Sequence, residues 1–390
     1  MSMKACGLVV EYNPFHHGHQ YHVEKARQVT NADVVVAVMS GNFLQRGEPA
    51  IIDKWQRAQA ALQYGVDLIV ELPPAWAVHS ADFFASGAIR ILQDLQCELL
   101  CFGTDTKHPF DYAKFAHFEK ENQLMIDDAF QRLARQNATY SQKMSAVLSE
   151  LYPEYHAEKD QPNHLLGMAY AREVLHYEKP MRLVPIQRVA ASYHSEQFDH
   201  PTIASATAIR QAIKQGAAVA DFVPEATQNF LSQATVDWEA FWPYLQYQII
   251  SAPLEKLAAI YQMEEGLEYR LKQYVTAADS FADFIKLLKT KRYTQTRLQR
   301  LACYVLFQVT KAEMKEAQEH SFIRVLGYTK QGQHYLKEVK KELTLPLIAK
   351  FGKQEAQRYG LSLRIDQIYQ QGNPQITEQN FRRIPLFIDK

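Results

Sequence analysis

The stretch Gly7-Leu-Val-Val-Glu-Tyr-Asn-Pro-Phe-His-His-Gly-His-Gln20 decides the fold of this chain. An apolar, strand-like run, Ala5–Val10, leads into Asn13-Pro14, a dipeptide that cannot continue a helix. The motif His16-x-Gly18-His19 follows, and residues from about Gln20 to Val29 have helical spacing. A strand, a tight turn and a helix N-terminus together form an anion site, because free backbone N–H groups and the positive end of the helix dipole meet there.

The two histidines of this motif point to phosphate chemistry. Both can donate hydrogen bonds to a phosphate oxygen as negative charge builds on it, and Gly18 leaves bare backbone against which a nucleotide can lie. These features are typical of nucleotidyl transfer, in which a nucleophile attacks the α-phosphate and pyrophosphate leaves. We expect His16 and His19 to be the catalytic residues, acting electrostatically on the α-phosphate rather than as nucleophiles.

The composition is that of an ordinary globular protein of two or three domains, with 390 residues, 47% of them hydrophobic and 22% charged. We expect no signal peptide, because the apolar run after Lys4 is too short, and no stretch reaches the roughly 18 apolar residues of a membrane span. The four cysteines are few and scattered, which favours a reducing compartment. The expectation is therefore a cytoplasmic protein with no membrane partner, and the sequence indicates no protein partner.

The charge of the chain is distributed unevenly although its formal net charge is zero. Residues 286–390 contain 20 Lys and Arg against 9 Asp and Glu. Such a basic segment favours a polyanionic partner, with nucleic acid as the first candidate. A Lys-rich helical surface that is simply solvated explains the same charge, so both interpretations stay open here.

Strand and helix signals alternate through the first half of the chain. Strands are predicted at 5–10, 32–39, 67–71, 99–102 and 182–186, with helices at 20–29, 53–64 and 80–93 and over most of 111–179. The strand signal fades after about Pro224, and residues 236–345 have helical apolar spacing. We predict an α/β fold in which a Rossmann-like parallel sheet, the nucleotidyltransferase domain of residues 1–230, precedes a mainly helical C-terminal domain of residues 231–390 with a short α/β tail.

A second motif, Ile203-Ala-Ser-Ala-Thr-Ala-Ile-Arg210, places small hydroxyl residues just before an apolar helix predicted at 208–213. Ser205 or Thr207 can cap that helix, and Arg210 can reach a polyphosphate with its forked donors. A plain N-cap with a surface arginine is the alternative. The presence of His-x-Gly-His upstream favours phosphate binding, since a triphosphate needs donors from two sides.

Together the two motifs resemble the HIGH-type Rossmann-like nucleotidyltransferases, in which His-x-Gly-His and a later Ile-Ser-Ser-Thr-x-Ile-Arg enclose a nucleoside triphosphate. Here Ala204 and Ala206 stand where that pattern has hydroxyl residues, whereas Ser205, Thr207 and Arg210 keep the polar positions. Further motifs, spread over nearly the whole chain, resemble the family of tRNA(Met) cytidine acetate ligases. They are Glu11–His19, Ser40–Pro49, Gly65–Pro73, Phe102-Gly103, Ile203–Arg210 and Lys291–Arg300.

This resemblance implies an enzyme that uses ATP to activate acetate as acetyl-adenylate and then acetylates N4 of the wobble cytidine of elongator tRNA(Met). Mg²⁺ is expected on the phosphates of ATP. The ATP contacts that the resemblance implies are Gly7, Leu8, Val9, Val10, Glu11, Tyr12, Asn13, Pro14, Phe15, His16, His17, Gly18, His19 and Gln20, together with Gly103, Asn163 and Arg188.

The last three residues of that set also have a physical reason to bind a nucleotide. Gly103 ends a strand at the carboxyl edge of the sheet, where open α/β folds bind ligands, and it has no side chain to block a base or ribose. Asn163 follows Pro162 at a predicted helix start, and Arg188 follows a predicted strand and can pair with phosphate. A turn glycine, an N-cap asparagine and a surface arginine are the alternatives.

A basic segment in the C-terminal third is the predicted tRNA contact. Its cations are Lys289, Lys291, Arg292, Arg297 and Arg300. On a helix, Arg292, Arg297 and Arg300 would share a face that can grip phosphates, and Tyr293 could stack on a base. A helix solubilised by cations is the alternative.

Other interpretations of the same residues are weaker. The clustered histidines lack a partner carboxylate or thiolate for zinc, so no metal site is predicted. Asp53, Lys54 and Arg57 open a helix, and an exposed, salt-bridged helix face is expected for them. Two rival functions stay open: an adenylyl- or cytidylyltransferase of cofactor synthesis, and a non-catalytic RNA-binding protein that senses nucleotide.

Overall fold

A computed structural model of the protein describes residues 3–133, 138, 140–156, 161–188 and 203–390. Its strands are β1 (Ala5–Val10), β2 (Val34–Ser40), β3 (Leu68–Leu72), β4 (Leu99–Thr104), β5 (Arg182–Gln187), β6 (Ile323–Thr329), β7 (Leu347–Ile348) and β8 (Leu386–Ile388). The five strands predicted in the first half of the chain are confirmed, each with both ends within two residues of the prediction.

Most of the remaining described chain is helical. The helices of the first half are α1 (His17–Thr30), α2 (Lys54–Gln63), α3 (Pro74–Ala77), α4 (Ala81–Asp94), α5 (Tyr112–Glu121), α6 (Gln123–Arg132), α7 (Tyr140–Leu151), α8 (Pro162–Val174) and α9 (Ala206–Lys214). Those of the second half are α10 (Glu225–Leu231), α11 (Trp238–Ser251), α12 (Leu254–Ala258), α13 (Leu267–Val275), α14 (Phe281–Leu288), α15 (Gln295–Phe307), α16 (Lys311–Glu319), α17 (Lys330–Val339), α18 (Lys353–Arg358) and α19 (Gly360–Gln370).

The sheet has its switch point between β1 and β4. The first five strands are parallel in the order β5-β4-β1-β2-β3, so the chain moves one way from β1 to β3 and then returns to β4 on the other side of β1. Ligands of open α/β sheets bind beyond the carboxyl ends of the strands at such a point. The loop after β1, which carries the histidine motif, leaves the sheet there.

Both faces of the sheet are covered, which explains the uninterrupted apolar run of β2. Alternate side chains of a strand point to opposite faces. Val34, Val36 and Val38 pack in a core with α4 and α8, while the intervening residues of β2 pack on the other face with α1 and α2. The predicted α/β fold with a Rossmann-like parallel sheet is confirmed.

The C-terminal third returns to this sheet, which differs from the expectation of helix throughout 236–345. Strand β6 pairs antiparallel with β3, and β7 and β8 pair with β6. Ile323 and Val325 enter one core and Leu326 enters the other. Because β6 is apolar toward both faces, its sequence pattern does not separate it from a helix. The predicted domain boundary between residues 230 and 231 stays a prediction. It marks a change in the sequence pattern, and strands from both sides of it belong to one sheet.

The helices from α11 to α16 form a separate hydrophobic core. It is rich in aromatic residues from these helices, and α19 adds Ile365 and Tyr369. The loop after β2 also contributes to it through Phe43, and α3 and its C-cap contribute Ala75 and Val78. The helical unit and the sheet are therefore joined by packing as well as by the chain. No helix of the described residues is both long and apolar enough to cross a membrane.

A buried charge network ties the sheet to the last helices. The Lys54 ammonium group donates to both carboxylate oxygens of Glu71 at 2.8 Å and to Asp366 Oδ2 at 2.6 Å. Arg324 lies 3.7 Å from Glu71 and 3.6 Å from Asp366. The side chains are all at most 4% exposed. Two anions and two cations therefore neutralise one another away from water.

This network corrects the expectation of an exposed helix face at Asp53, Lys54 and Arg57. All three residues are buried. Asp53 caps α2 by accepting from Gln56 N at 2.9 Å. Charged residues at the start of a helix usually face solvent, whereas the carboxylate partners of Lys54 come from β3 and α19. That pairing is long-range, so the local pattern could not indicate it.

We expect the substitution Lys54→Met to lower the free energy of unfolding by about 3–5 kcal/mol, because it leaves two buried carboxylates with the more distant Arg324 as their only cationic partner in the network. Urea unfolding measures the change. The matched control is Lys315→Met: Lys315 is 78% exposed and 3.8 Å from Glu319, and exposed pairs contribute at most about 1 kcal/mol. Equal losses in the two variants would contradict the role given to the network.

Candidate active site

The histidine motif forms the first turn of α1. The helix begins at His17, three residues before the predicted start, and His16 is its N-cap residue with extended backbone. The backbone N–H groups of His19 and Gln20 donate to the His16 carbonyl at 2.8 and 3.1 Å. His16, Gly18 and His19 of this turn line the cavity at the carboxyl edge of the sheet, where the free N–H groups of a first helical turn can bind an anion.

The two motif imidazoles lie against each other. The rings of His16 and His19 stack with centroids 3.7 Å apart and an interplanar angle of 26°. A Cβ on Gly18 would lie 2.9 Å from Cε1 of His16, so the glycine makes room for that ring. This differs from the expectation that Gly18 presents bare backbone to a nucleotide: the space above it holds His16.

A cavity of about 420 Å³ opens at this edge of the sheet. Of the predicted site residues, its walls include Val9, Val10, Glu11, Tyr12, Asn13, His16, Gly18, His19, Gly103, Asn163, Arg188, Ser205, Thr207 and Arg210. The structure therefore brings both sequence motifs, together with the ends of β4 and β5, around one space. Residues that the sequence analysis did not assign to the nucleotide site also line it, among them His22, Gln45, Arg46, Tyr170 and Arg300.

The rest of the predicted run Gly7–Gln20 does not line the cavity. Leu8 and Phe15 are fully buried in the core against α1 and α2, and a Cβ on Gly7 would meet the Leu92 side chain at 2.8 Å. His17 faces Gln20, with 3.5 Å between Nδ1 and Oε1. Pro14 is buried as well. These residues belong to the strand and the turn but do not line the cavity. Within the strand, alternate side chains point to opposite faces of the sheet.

Helix α9 presents its N-terminus to the same cavity. It begins at Ala206, two residues before the prediction, and the Ser205 hydroxyl caps it by accepting from Ala208 N at 3.0 Å. Arg210 donates to the Asn13 carbonyl at 2.9 Å and lies 3.4 Å from Glu48. The second motif is thus attached directly to the turn of the first one.

Gly103, Asn163 and Arg188 come together at the ends of β4 and β5. The Asp105 carboxylate accepts from Asn163 Nδ2 at 2.8 Å and from the backbone N–H groups of Asn163 and His164, which caps α8. Arg188 N donates to the Thr104 carbonyl at 3.0 Å, and a Cβ on Gly103 would lie 3.3 Å from the Arg188 side chain. Gly103 therefore lets the Arg188 side chain pass close to the strand.

The imidazoles of the cavity are held in their neutral form. Burial, assisted by the positive charges of Arg188 and Arg210, lowers the pKa of His16 to about 3. Burial and Arg188 lower the pKa of His22 to about 4. Burial, with His16 and Arg188, also lowers the pKa of His19, and a hydrogen bond with the Pro14 backbone acts in the opposite sense. A neutral imidazole carries one N–H donor, so these rings act as hydrogen-bond donors rather than fixed cations.

Two of these rings have an unused nitrogen. Among the described residues, His16 Nδ1 and His22 Nε2 are buried and have no hydrogen-bond partner. Buried polar atoms are nearly always satisfied in folded proteins, so an orphaned ring nitrogen in a cavity wall points to a ligand. Cations in the same wall favour an anionic one.

Arg57 holds the loops that frame this site. Its guanidinium donates to the carbonyls of Glu11 at 2.7 Å, Ser40 at 3.0 Å and Ile52 at 3.1 Å, and also to that of Gly41. It thereby fixes the chain where it leaves both β1 and β2. Burial lowers the pKa of this guanidinium, and nearby groups led by Tyr369 and Asp53 oppose the shift.

The loop after β2 forms the wall opposite the histidine turn. Gln45 N donates to the Glu11 carboxylate at 2.7 Å, and burial raises the pKa of that carboxyl. Gly47 has φ +76°, and a Cβ there would overlap the backbone of α15 at Gln299 and Arg300. This close approach brings a helix of the C-terminal third to the edge of the cavity.

The predicted tRNA contacts separate into two groups. Lys289, Lys291 and Arg292 are exposed. Arg297 pairs with Glu264, and Arg292 lies 3.1 Å from the same carboxylate. The predicted shared helix face is wrong for Arg292, because α15 begins only at Gln295.

One further expectation for this segment is corrected. Tyr293 is 7% exposed and donates to Glu264 at 3.2 Å, so its ring cannot stack on an incoming base. Arg300 lines both the cavity at the histidine turn and a more open neighbouring cleft, and its tRNA contact stays a prediction. Tyr293 precedes α15 and is held by Glu264, whereas Arg300 is carried toward the cavity by α15; a count of charges along the sequence cannot predict either direction.

The whole arrangement can hold a polyphosphate. Two helix N-termini, neutral imidazole donors and the guanidinium of Arg210 converge on one cavity, while β4 and β5 end beside it with room for a base or ribose. The described residues contain no group of three or more His, Cys, Asp or Glu side chains placed to hold a metal ion.

Comparison with known proteins gives three concordant findings. The model of the HIGH Nucleotidyl Transferase family matches residues 3–383. The chain is 41% identical to a tRNA(Met) cytidine acetate ligase of Geobacillus sp. over 95% of this chain and 92% of that one. It is 45% identical to the Levilactobacillus brevis protein of the same name over 90% and 89% of the two chains.

Solved structures extend the likeness to three dimensions. Thermotoga maritima TmcAL in its apo form matches with a TM-score of 0.91 and 28% identity, covering 100% of both chains. The same protein bound with alpha-thio ATP matches with a TM-score of 0.88, again at 28% identity and full coverage.

Proposed function

This chain belongs to the tRNA(Met) cytidine acetate ligase family of the HIGH nucleotidyl transferases, and we propose that it joins acetate to a cytidine of elongator tRNA(Met) at the expense of ATP. The acetylated position is N4 of the wobble cytidine. The observation that supports the site assignment is the convergence of the two sequence motifs on one cavity, with unpartnered ring nitrogens of His16 and His22 in its wall.

The first step forms acetyl-adenylate. A carboxylate oxygen of acetate attacks the α-phosphorus of ATP in line, the bond from that phosphorus to the bridging oxygen breaks, and pyrophosphate leaves. His16 donates to the α-phosphate oxygens through its unpartnered ring nitrogen as charge builds on them. His19 joins it by exchanging its hydrogen bond with the Pro14 backbone for one to phosphate, and the neutral rings need no proton transfer to do so. Ser205, Thr207 and Arg210 hold the leaving pyrophosphate at the N-terminus of α9.

The second step transfers the acetyl group. The exocyclic amine of the splayed-out cytidine attacks the acetyl carbon, the bond to the phosphate oxygen breaks, and AMP leaves while the amine loses a proton. Neither step needs a covalent bond to the enzyme. Gly103 and Arg188 would lie beside the base and ribose of the adenylate, because β4 and β5 end at that side of the cavity.

Mg²⁺ would enter the site bound to the phosphate oxygens of ATP, where it would neutralise part of their negative charge. Glu11 and Glu48 are acidic residues of the cavity wall, but each already has a partner, Gln45 N and Arg210 respectively. The steps above therefore rely on the chain's own donors. Since its substrates are ATP and a tRNA, we place the protein in the cytoplasm.

An assay with labelled acetate and ATP, with and without tRNA, tests this function. We expect acetyl-AMP in the absence of tRNA and acetylated tRNA in its presence. Adenylylation or cytidylylation of another small acceptor, or nucleotide binding without turnover, would contradict the proposal. His19→Ala should lower acetyl-AMP formation by about 100- to 1,000-fold, the usual effect of removing one transition-state donor.

The matched control for His19→Ala is His334→Ala. His334 is 68% exposed on α17 and lies 3.3 Å from Glu338, away from the cavity. Its loss should leave acetyl-AMP formation at the wild-type rate. Thermal melting of both variants separates a catalytic loss from misfolding. Undiminished turnover in folded His19→Ala would show that the site assignment is wrong.

The exposed cations before α15 are the tRNA contact that we propose. Replacing Lys289, Lys291 and Arg292 with Gln should weaken tRNA binding and reduce the slope of log K against log salt by about 2, since each phosphate contact contributes about 0.7–0.9. Filter binding over a salt series measures that slope. Replacing the exposed Lys340, Lys341 and Lys350 removes the same charge elsewhere; equal slope changes in both triple variants would contradict a localised contact.

A further inference from the structure

Arg300 has an unusual position for a residue of a basic segment. It lies in the second turn of α15 and lines the cavity that the histidine turn and α9 enclose, as does Thr296 one turn earlier. It also lines a neighbouring, more open cleft with Tyr261 and Lys311. The guanidinium thus stands where the nucleotide cavity meets the helical unit of the protein.

The donors of Arg300 are almost unused. Among the described residues its one hydrogen bond runs from Nη1 to the Gln45 carbonyl, at 3.4 Å. Its Nε is buried and has no partner there. No carboxylate of the described chain pairs with it, and its charged neighbours include the cations Arg46 and Arg297.

Comparable cations of the site are satisfied. Arg57 donates to four carbonyls, Arg210 reaches Asn13 and Glu48, and Arg297 pairs with Glu264. Arg300 is only partly buried, but leaving its buried Nε donor unsatisfied costs free energy, and such a donor in a cavity wall points to an anionic ligand. Burial accordingly lowers the pKa of the Arg300 guanidinium.

The proposed function supplies two anions to this cavity, and each needs its own donors. The triphosphate has the N-termini of α1 and α9 with Arg210. Acetate and the α-phosphate are both negatively charged, so they repel each other as acetate approaches the α-phosphorus. A guanidinium neutralises the charge of a carboxylate and matches the geometry of its two oxygens. A tRNA phosphate would instead bind the exposed cations outside the cavity.

We propose that Arg300 binds the carboxylate of acetate, which makes it a substrate-binding residue of the activation step. This inference rests on the proposed function. Arg300 then belongs to the acetate site and not to the tRNA contact. Acetate binds at the side of the cavity formed by α15 and the loop after β2.

Acetate-dependent exchange of labelled pyrophosphate into ATP, measured without tRNA, tests the assignment. For Arg300→Lys we expect the KM for acetate to rise about 10- to 100-fold while the KM for ATP stays within about 2-fold, as expected when one charge-assisted hydrogen bond of about 1.5–3 kcal/mol is weakened. Arg300→Gln should show a larger rise. Exposed Arg358 on α18 provides the matched control, Arg358→Lys, with both KM values unchanged.

Each other outcome overturns the inference in a distinct way. A raised KM for ATP with an unchanged KM for acetate would assign Arg300 to the triphosphate. Normal exchange, with a raised KM for tRNA alone when acetylation of tRNA is measured separately, would assign it to a tRNA phosphate. Absence of acetate-dependent exchange in the wild-type protein would overturn the proposed function and this inference with it, whereas normal wild-type exchange with unaltered variants would remove only the inference. Should Arg300→Lys melt below the assay temperature, Arg300→Gln decides between these outcomes.

Discussion

The ammonium group of Lys54 lies between two buried carboxylates, Glu71 and Asp366, and Arg324 is within 3.7 Å of both. These groups come from α2, β3, α19 and β6, so the ionic network can form only when the C-terminal third is seated against the sheet. Asn42 extends it by donating to Asp366 at 2.8 Å and accepting from Lys54 N at 2.8 Å. A buried network of this kind gives little net stability over an apolar core, but a single arrangement satisfies it.

That arrangement also holds the loops that frame the candidate active site. Asn42 begins the loop after β2, and the same loop reaches Glu11 through Gln45 and the backbone of α15 at Gly47. Arg57 fixes the other side by donating to carbonyls after β1 and β2. Helix α15, which carries Arg300, is therefore positioned relative to the histidine turn by contacts from the sheet, although the two are nearly 300 residues apart in sequence.

Local sequence patterns predicted those features that depend on neighbouring residues. Alternating strands and helices, the turn before His16, the Ser205 cap and the strand end at Gly103 are all short-range, and the structure has them close to their predicted places. The patterns failed where a distant partner decides the outcome. Strand β6 forms only by pairing with β3, and Lys54 is buried only because Asp366 neutralises its charge. The direction of the Tyr293 side chain depends on Glu264, and that of Arg300 depends on how α15 packs.

The account depends on one cavity holding the triphosphate between the histidine turn and the N-terminus of α9. A crystal structure of this protein with a non-hydrolysable ATP analogue measures that directly. We expect the α-phosphate within hydrogen-bond distance of His16 or His19 and the terminal phosphates at Ser205, Thr207 and Arg210. A triphosphate bound away from the two imidazoles, with the protein otherwise unchanged, would contradict the account.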